Sequence, residues 1–325
     1  MSTIRLAEIR VCLGLLCLSL SFETVRAANP TASLAQQERS QIDTVIGQSV
    51  ETLSVLSTQS AISTGGYKFS IHETDGQATR APWTIDLAPR EPLGDTGLSW
   101  TPVFSGGVGY ADFTDHFVDK PLEGNASEYQ TLAAAVGLGP RIYFTPEFSV
   151  LPSMGLIYGY TQNNFHALNP LGDEFEQAQR NGLVDWHVQT MTITPSIELR
   201  YLVKPDPWEF TLFSTYAYFD TWPIERSTSA LSFRSNSGSW VNGADVDFRT
   251  QYRLFDCPVH VGGRFAVTDL YGGLRQSLAT SNFYQIGGRI TLDTRGKIPL
   301  IDRLGLGIAY VWGEGFHGYS VGIEL

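Results

Sequence analysis

The stretch Arg303-Leu304-Gly305-Leu306-Gly307-Ile308-Ala309-Tyr310-Val311-Trp312 changes character at every second residue. Side chains of an extended chain point to opposite sides in turn, so Leu304, Leu306, Ile308, Tyr310 and Trp312 share one face. Gly305, Gly307, Ala309 and Gly313 fall on the other. A bulky apolar face backed by glycine and alanine suits a strand with hydrocarbon on one side and a crowded lumen on the other.

Working back along the chain, other stretches sort their faces by charge. From Trp240, Val246, Phe248, Tyr252 and Leu254 oppose Asp245, Asp247, Arg249, Gln251 and Arg253. Ile193, Ile197, Leu199 and Tyr201 oppose Glu198 and Arg200, and Tyr284, Ile286, Ile290 and Leu292 oppose Gln285, Arg289 and Asp293. Charges are expelled from hydrocarbon, so these rows, with Arg264, are expected to line an interior.

The same period places strands at Tyr67–His72, Trp83–Ala88, Ser99–Phe113, Tyr129–Phe144, Phe148–Thr161, His187–Val203, Trp208–Asp220, Trp240–Leu254, Val259–Asp269, Phe283–Thr294, Arg303–Trp312 and Phe316–Leu325. From the third strand to the tenth the connections alternate long and short: His116–Glu128, Thr145-Pro146, Gln162–Trp186, Lys204–Pro207, Thr221–Ser239, Phe255–Pro258, Leu270–Asn282. An up-and-down membrane barrel predicts this alternation, and a Greek-key sandwich does not. All seven tryptophans, Trp83, Trp100, Trp186, Trp208, Trp222, Trp240 and Trp312, fall at or beside expected strand ends, where indoles form interfacial girdles.

The fold class read from the chain is therefore all-β: a transmembrane up-and-down antiparallel barrel of about twelve strands, with ten the competing count. Tyr319, Val321, Ile323 and Leu325 alternate to the last residue. This resembles the C-terminal strand by which such barrels are recognised for membrane assembly, although that strand usually ends in Phe. The partners expected are outer-membrane lipid, lipopolysaccharide and the barrel-assembly machinery; no oligomer interface is legible.

The N-terminus reads differently. Arg5 and Arg10, the apolar run Val11–Phe22 and the residues Val25-Arg26-Ala27 form a cleavable export signal, too short to span a bilayer as a helix. Cleavage after Ala27 leaves Cys257 as the one cysteine, so no intramolecular disulfide is expected. From Ser33 to about Ser60 the pattern is helical, with Ile42, Ile46, Val50, Leu53 and Leu56 on one stripe, and Gly65-Gly66 is expected to end it. This divides the chain into a signal (1–27), a helical segment (28–65) and a barrel (66–325), the helix lying either in the lumen or in the periplasm. The net charge of −11 argues against nucleic acid as partner.

An N-terminal helix followed by about twelve strands ending at the C-terminus resembles the translocator domain of autotransporters, in which a helix threads the barrel. With only Ala28–Ser33 between signal and helix, the chain resembles the solitary, passenger-less autotransporter-like outer-membrane barrels. The resemblance implies a non-enzymatic barrel with a filled lumen; a small-solute channel is the alternative.

The case for a hydrolase rests on His116, His166 and His187, which fall in or beside expected outer loops near Asp112, Asp115, Asp119, Asp173, Glu174 and Asp185. Loop histidines and acids are more commonly solvated than catalytic. His317 and Ser320 are three residues apart on one strand, hence on opposite faces, and cannot form a nucleophile with its base. Gly106-Gly107, Gly262-Gly263, Gly272-Gly273 and Gly287-Gly288 have no following lysine and no expected following helix, and read as places of curvature or close approach. No cofactor or metal site is expected.

Overall fold

The computed structural model describes residues 61–69, 74–116, 123–180, 184–278, 280–295, 297 and 303–324. The signal and the helical expectation for residues 33–60 lie outside the described residues. The strands are β1 (Ala61–Phe69), β2 (Thr74–Asp86), β3 (Glu91–Pro92), β4 (Ser99–His116), β5 (Ala126–Tyr143), β6 (Phe148–His166), β7 (His187–Val203), β8 (Trp208–Arg226), β9 (Ser235–Leu254), β10 (Cys257–Gly272), β11 (Asn282–Asp293), β12 (Arg303–Gly313) and β13 (Phe316–Glu324). Among the described residues two α-helices, α1 (Pro170–Gln179) and α2 (Gly273–Ser277), sit in connections.

Each long strand pairs antiparallel with its neighbour in sequence, the short β3 standing outside the ring. β2 pairs with β4, and β1 pairs with β13 from Ala61 opposite Glu324 to Phe69 opposite Phe316, which closes twelve strands into a barrel with no free edge. That settles the count at twelve, and every expected strand has its counterpart. The seam differs from expectation. β1 begins at Ala61, and Gly65-Gly66, read as a helix stop, pair within it with Ser320 and Tyr319. A Cβ at Gly65 would lie 2.5 Å from the Tyr319 carbonyl oxygen, so this glycine serves close strand approach.

Connections β4–β5, β6–β7, β8–β9 and β10–β11 lie at one end, and the tight β5–β6, β7–β8 and β9–β10 turns at the other. At the β9–β10 turn Phe255 and Asp256 have φ of 51° and 58°, the two left-handed residues of a hairpin whose twist matches its strands. The alternation stops after β11: residues 294–302 join β11 to β12 on the short-turn side, and Glu314-Gly315 joins β12 to β13 on the loop side.

The two faces of the wall follow the period of two. Leu306 and Ile308 are 66% and 67% exposed on the outside, where hydrocarbon would cover them, while Val311 is 2% exposed inside. The interior itself divides along the barrel axis. Near the loop end it is apolar, built from Tyr67, Ala111, Phe219, Leu270, Phe283 and Val311. Near the short-turn end it is ionic.

Candidate functional site

The interior collects charged groups, and its ionic half is built on β9–β12. Asp245 and Asp247 face inward on β9, two residues apart. Arg289 on β11 donates through Nη1 to Asp245 at 3.0 Å and through Nε to Asp247 at 3.2 Å, with a second, shorter Nη2 contact to Asp247. Arg264 on β10 adds a 3.3 Å bond to Asp245 and lies 4.4 Å over the Phe213 ring. To reach Asp247, Arg289 must cross β10, and it crosses at Gly262, which registers with both residues. A Cβ there would stand 2.5 Å from Asp247 Oδ1 and 2.8 Å from Arg289 Nε. The Gly262-Gly263 doublet thus marks a passage for a side chain.

Arg303 extends the network across the lumen. From β12 it reaches Glu209 on β8 at 3.2 Å and Asp247 on β9 at 3.5 Å, and Lys204 meets Glu209 at 3.3 Å. Arg303, Glu209 and the inward Arg80, whose Nε donates to Ser63 at 2.8 Å, were not expected as lumen charges. A signal existed: Arg303 and Glu209 lie on the inward phase of their strands, one at the first residue and one at the second.

The remaining expected charges are not gathered. Asp293 pairs with Arg295 at 3.0 Å at the rim, and Arg253 donates to the Asp256 carbonyl at 2.7 Å. Arg249 is exposed. Glu198 and Arg200 face the lumen on β7, and Arg200 Nε is buried with no hydrogen-bond partner among the described residues.

The tryptophans separate into two levels. Trp83, Trp100 and Trp208 stand toward the short turns, Trp208 packed 4.7 Å from Phe248 between ring centroids. Trp222, Trp240 and Trp312 stand toward the loops, Trp312 stacked on Tyr284 and Tyr310 and Trp240 donating to Ser214 Oγ at 2.9 Å. Trp186 is a correction. It is 1% exposed and packs inside the mouth with Tyr129, Val188 and Leu231, because the β6–β7 connection folds over the rim. Tyr319, Val321 and Ile323 point outward at 66%, 50% and 44% exposure; Leu325 lies outside the described residues.

Two of the connections fold inward at the loop end of the barrel. Gly272, at φ +63°, turns the chain into α2, which with the residue after it brings Leu274 and Leu278 into the apolar half at 0% and 5% exposure. The return is fastened by Leu270 N–H donating to the Ser281 carbonyl at 2.8 Å. On the other side Asn169 caps α1 by accepting from Gly172 N–H at 2.8 Å, with Pro170 following it. Asn125, fully buried, accepts from Leu168 N–H at 2.8 Å and ties this loop to β5. Between the apolar and ionic levels, a cavity of about 260 Å³ runs along the wall of β4–β8, where Gly107, Ala135, Gly137, Ser153, Gly155 and Ser196 leave space.

The histidines do not converge. His166 meets Glu128 at 3.1 Å, His116 lies 4.0 Å from Asp75, and His187 stacks on Tyr160, each exposed with a different neighbour. His317 is exposed and Ser320 is buried on the opposite face. Among the described residues no three His, Cys, Asp or Glu side chains are grouped to hold a metal.

A closed, edge-free antiparallel barrel with an apolar outer wall, ordered aromatic levels and a charged interior defines an integral outer-membrane β-barrel. Residues 73–323 match the family described as the solitary outer membrane autotransporter β-barrel domain, and the chain belongs to that family. Among solved structures it is similar to the transport unit of the autotransporter AIDA-I from Escherichia coli, at 11% identity and a TM-score of 0.52, covering 88% of this chain and 98% of that one. It is also similar to the β-domain of the Bordetella autotransporter BrkA, at 13% identity and a TM-score of 0.48 over 82% and 98%. The KdgM porin aligns at 11% identity and a TM-score of 0.37 over 81% and 96%. No curated protein matches the sequence.

Proposed function

We propose that the protein is a non-enzymatic barrel whose lumen is shut at rest by its own loops. One observation carries this reading: Leu274 and Leu278 stand inside the lumen among Tyr67, Phe219, Phe283 and Val311. Burying two leucines contributes about 1.5–3 kcal/mol each, and an apolar constriction resists wetting, which disfavours ion passage at this level. The Arg303 crossbar narrows the ionic half below it.

This plug is distinct from the helical one expected at residues 33–60, and the two are separable by experiment. The refolded full chain in planar bilayers should show negligible steady current. Leu274→Ser combined with Leu278→Ser should open it to resolved single-channel steps. A sizeable steady current through the unaltered protein would refute the closed reading and favour the small-solute channel, for which the 260 Å³ cavity along β4–β8 speaks.

A further inference from the structure

On the lumen wall near the short turns, Arg249 on β9 registers with His260 on β10, and His260 registers with Thr291 on β11. The three face inward in one row. His260 is 8% exposed and Thr291 2% exposed, yet His260 Nε2 and Thr291 Oγ1 are buried with no hydrogen-bond partner among the described residues. Buried polar atoms are nearly always satisfied, so two such atoms side by side need an occupant.

The charges around them say which sign it carries. The groups whose fields reach His260 are Arg303, Asp293, Asp247 and Arg249. Both acids are already bound, Asp247 by Arg289 and Arg303 and Asp293 by Arg295. Among the described residues Arg249 takes part in none of the ion pairs of the lumen. What remains unspent is a guanidinium, an imidazole nitrogen and a hydroxyl, all able to donate.

We propose that Arg249, His260 and Thr291 form a binding subsite for a carboxylate group entering the lumen from the short-turn side. The guanidinium supplies charge and a planar fork that matches a carboxylate, while His260 Nε2–H and Thr291 Oγ–H complete its remaining lone pairs. The same chemistry has two sources: a soluble carboxylate, or Glu38, Asp43 and Glu51 of this chain's own N-terminal segment. The subsite is independent of whether the loop mouth conducts.

The test uses the refolded full chain with ¹⁵N-labelled histidine, the His260 signal being assigned by its loss in His260→Gln. Citrate is titrated against sodium chloride at matched ionic strength. Citrate should move the His260 signal saturably while the other histidines stay; Thr291→Val should weaken the apparent affinity by about 5-fold, the loss of one neutral hydrogen bond, and Arg249→Gln by about 10- to 100-fold, the loss of a charge-assisted one. If the unaltered chain is silent but the variant E38Q/D43N/E51Q responds, the chain's own carboxylates fill the subsite, and the proposal stands with that source. It is overturned if citrate and chloride act alike, if the two lumen variants titrate as the unaltered chain does, or if neither the full chain nor the acid-neutralised variant responds.

Discussion

Adding one methyl group at Gly262 should destabilise the barrel, against the usual direction for such a change. Alanine is ordinarily favoured over glycine inside a strand by about 0.5–1 kcal/mol, because glycine loses more backbone freedom on folding. Here the new Cβ would stand 2.5 Å from Asp247 Oδ1 and 2.8 Å from Arg289 Nε, both under contact distance. The guanidinium must lift off Asp247. Charge-assisted hydrogen bonds contribute about 1.5–3 kcal/mol each, and a fully broken buried pair costs about 3–5 kcal/mol. Arg289 keeps Asp245 at 3.0 Å and Asp247 keeps Arg303 at 3.5 Å, so neither charge is stranded. A loss of about 2–3 kcal/mol is then offset by the backbone gain, leaving about 2 kcal/mol, roughly 30-fold in the folding equilibrium. Urea titration of refolded protein in micelles should show the midpoint of Gly262→Ala falling by about 1 M. Gly263→Ala is the internal control. Its Cβ would point into lipid with only the Gly287 carbonyl oxygen near, at 3.7 Å, and the midpoint should hold or rise. If Gly262→Ala is as stable as Gly263→Ala, the passage of Arg289 across β10 does not hold the wall together.

Trp186→Ala should cost about 3–5 kcal/mol, the range for emptying a packed aromatic site, and the urea midpoint reads it; a tryptophan standing in the lipid girdle would lose much less. Asn125→Ala removes the acceptor for Leu168 N–H at a buried position, worth about 1–3 kcal/mol locally, and trypsin should then cleave after Arg180 faster than in the unaltered chain. A cleavage rate unchanged within error would show that the β6–β7 loop is held by other contacts.

Periodicity made most of the wall legible in the sequence. Strands such as β7 and β12 alternate for ten or more residues between unambiguous apolar and small or charged faces, and nothing tertiary competes with that signal. β1 was placed too late because Gly65-Gly66 breaks a pattern locally, while its real meaning is approach to Tyr319 and Ser320 more than two hundred residues away. Trp186 sits at a strand end like the other indoles, and only the path of a loop decides whether such a ring meets lipid or the lumen. Leu274 and Leu278 were missed for the same reason, although two leucines four apart in an otherwise polar connection were a sign of an in-folded helical turn. In the ionic half, single strands showed which residues face inward. Which of them meet was hidden, because Arg289 and Arg303 find carboxylates on strands two to four places away around the ring.

The seam between β1 and β13 makes the wall a loop without a beginning. Ala61 and Glu324 are direct partners across it, so the chain enters and leaves the ring at neighbouring points on one rim. A short bridge between them, with new termini opened in the β4–β5 connection, would yield a circular permutant with the same twelve pairings and the same ionic ladder. Such a chain would show whether the ring still forms when Tyr319, Val321 and Ile323 lie in an internal strand.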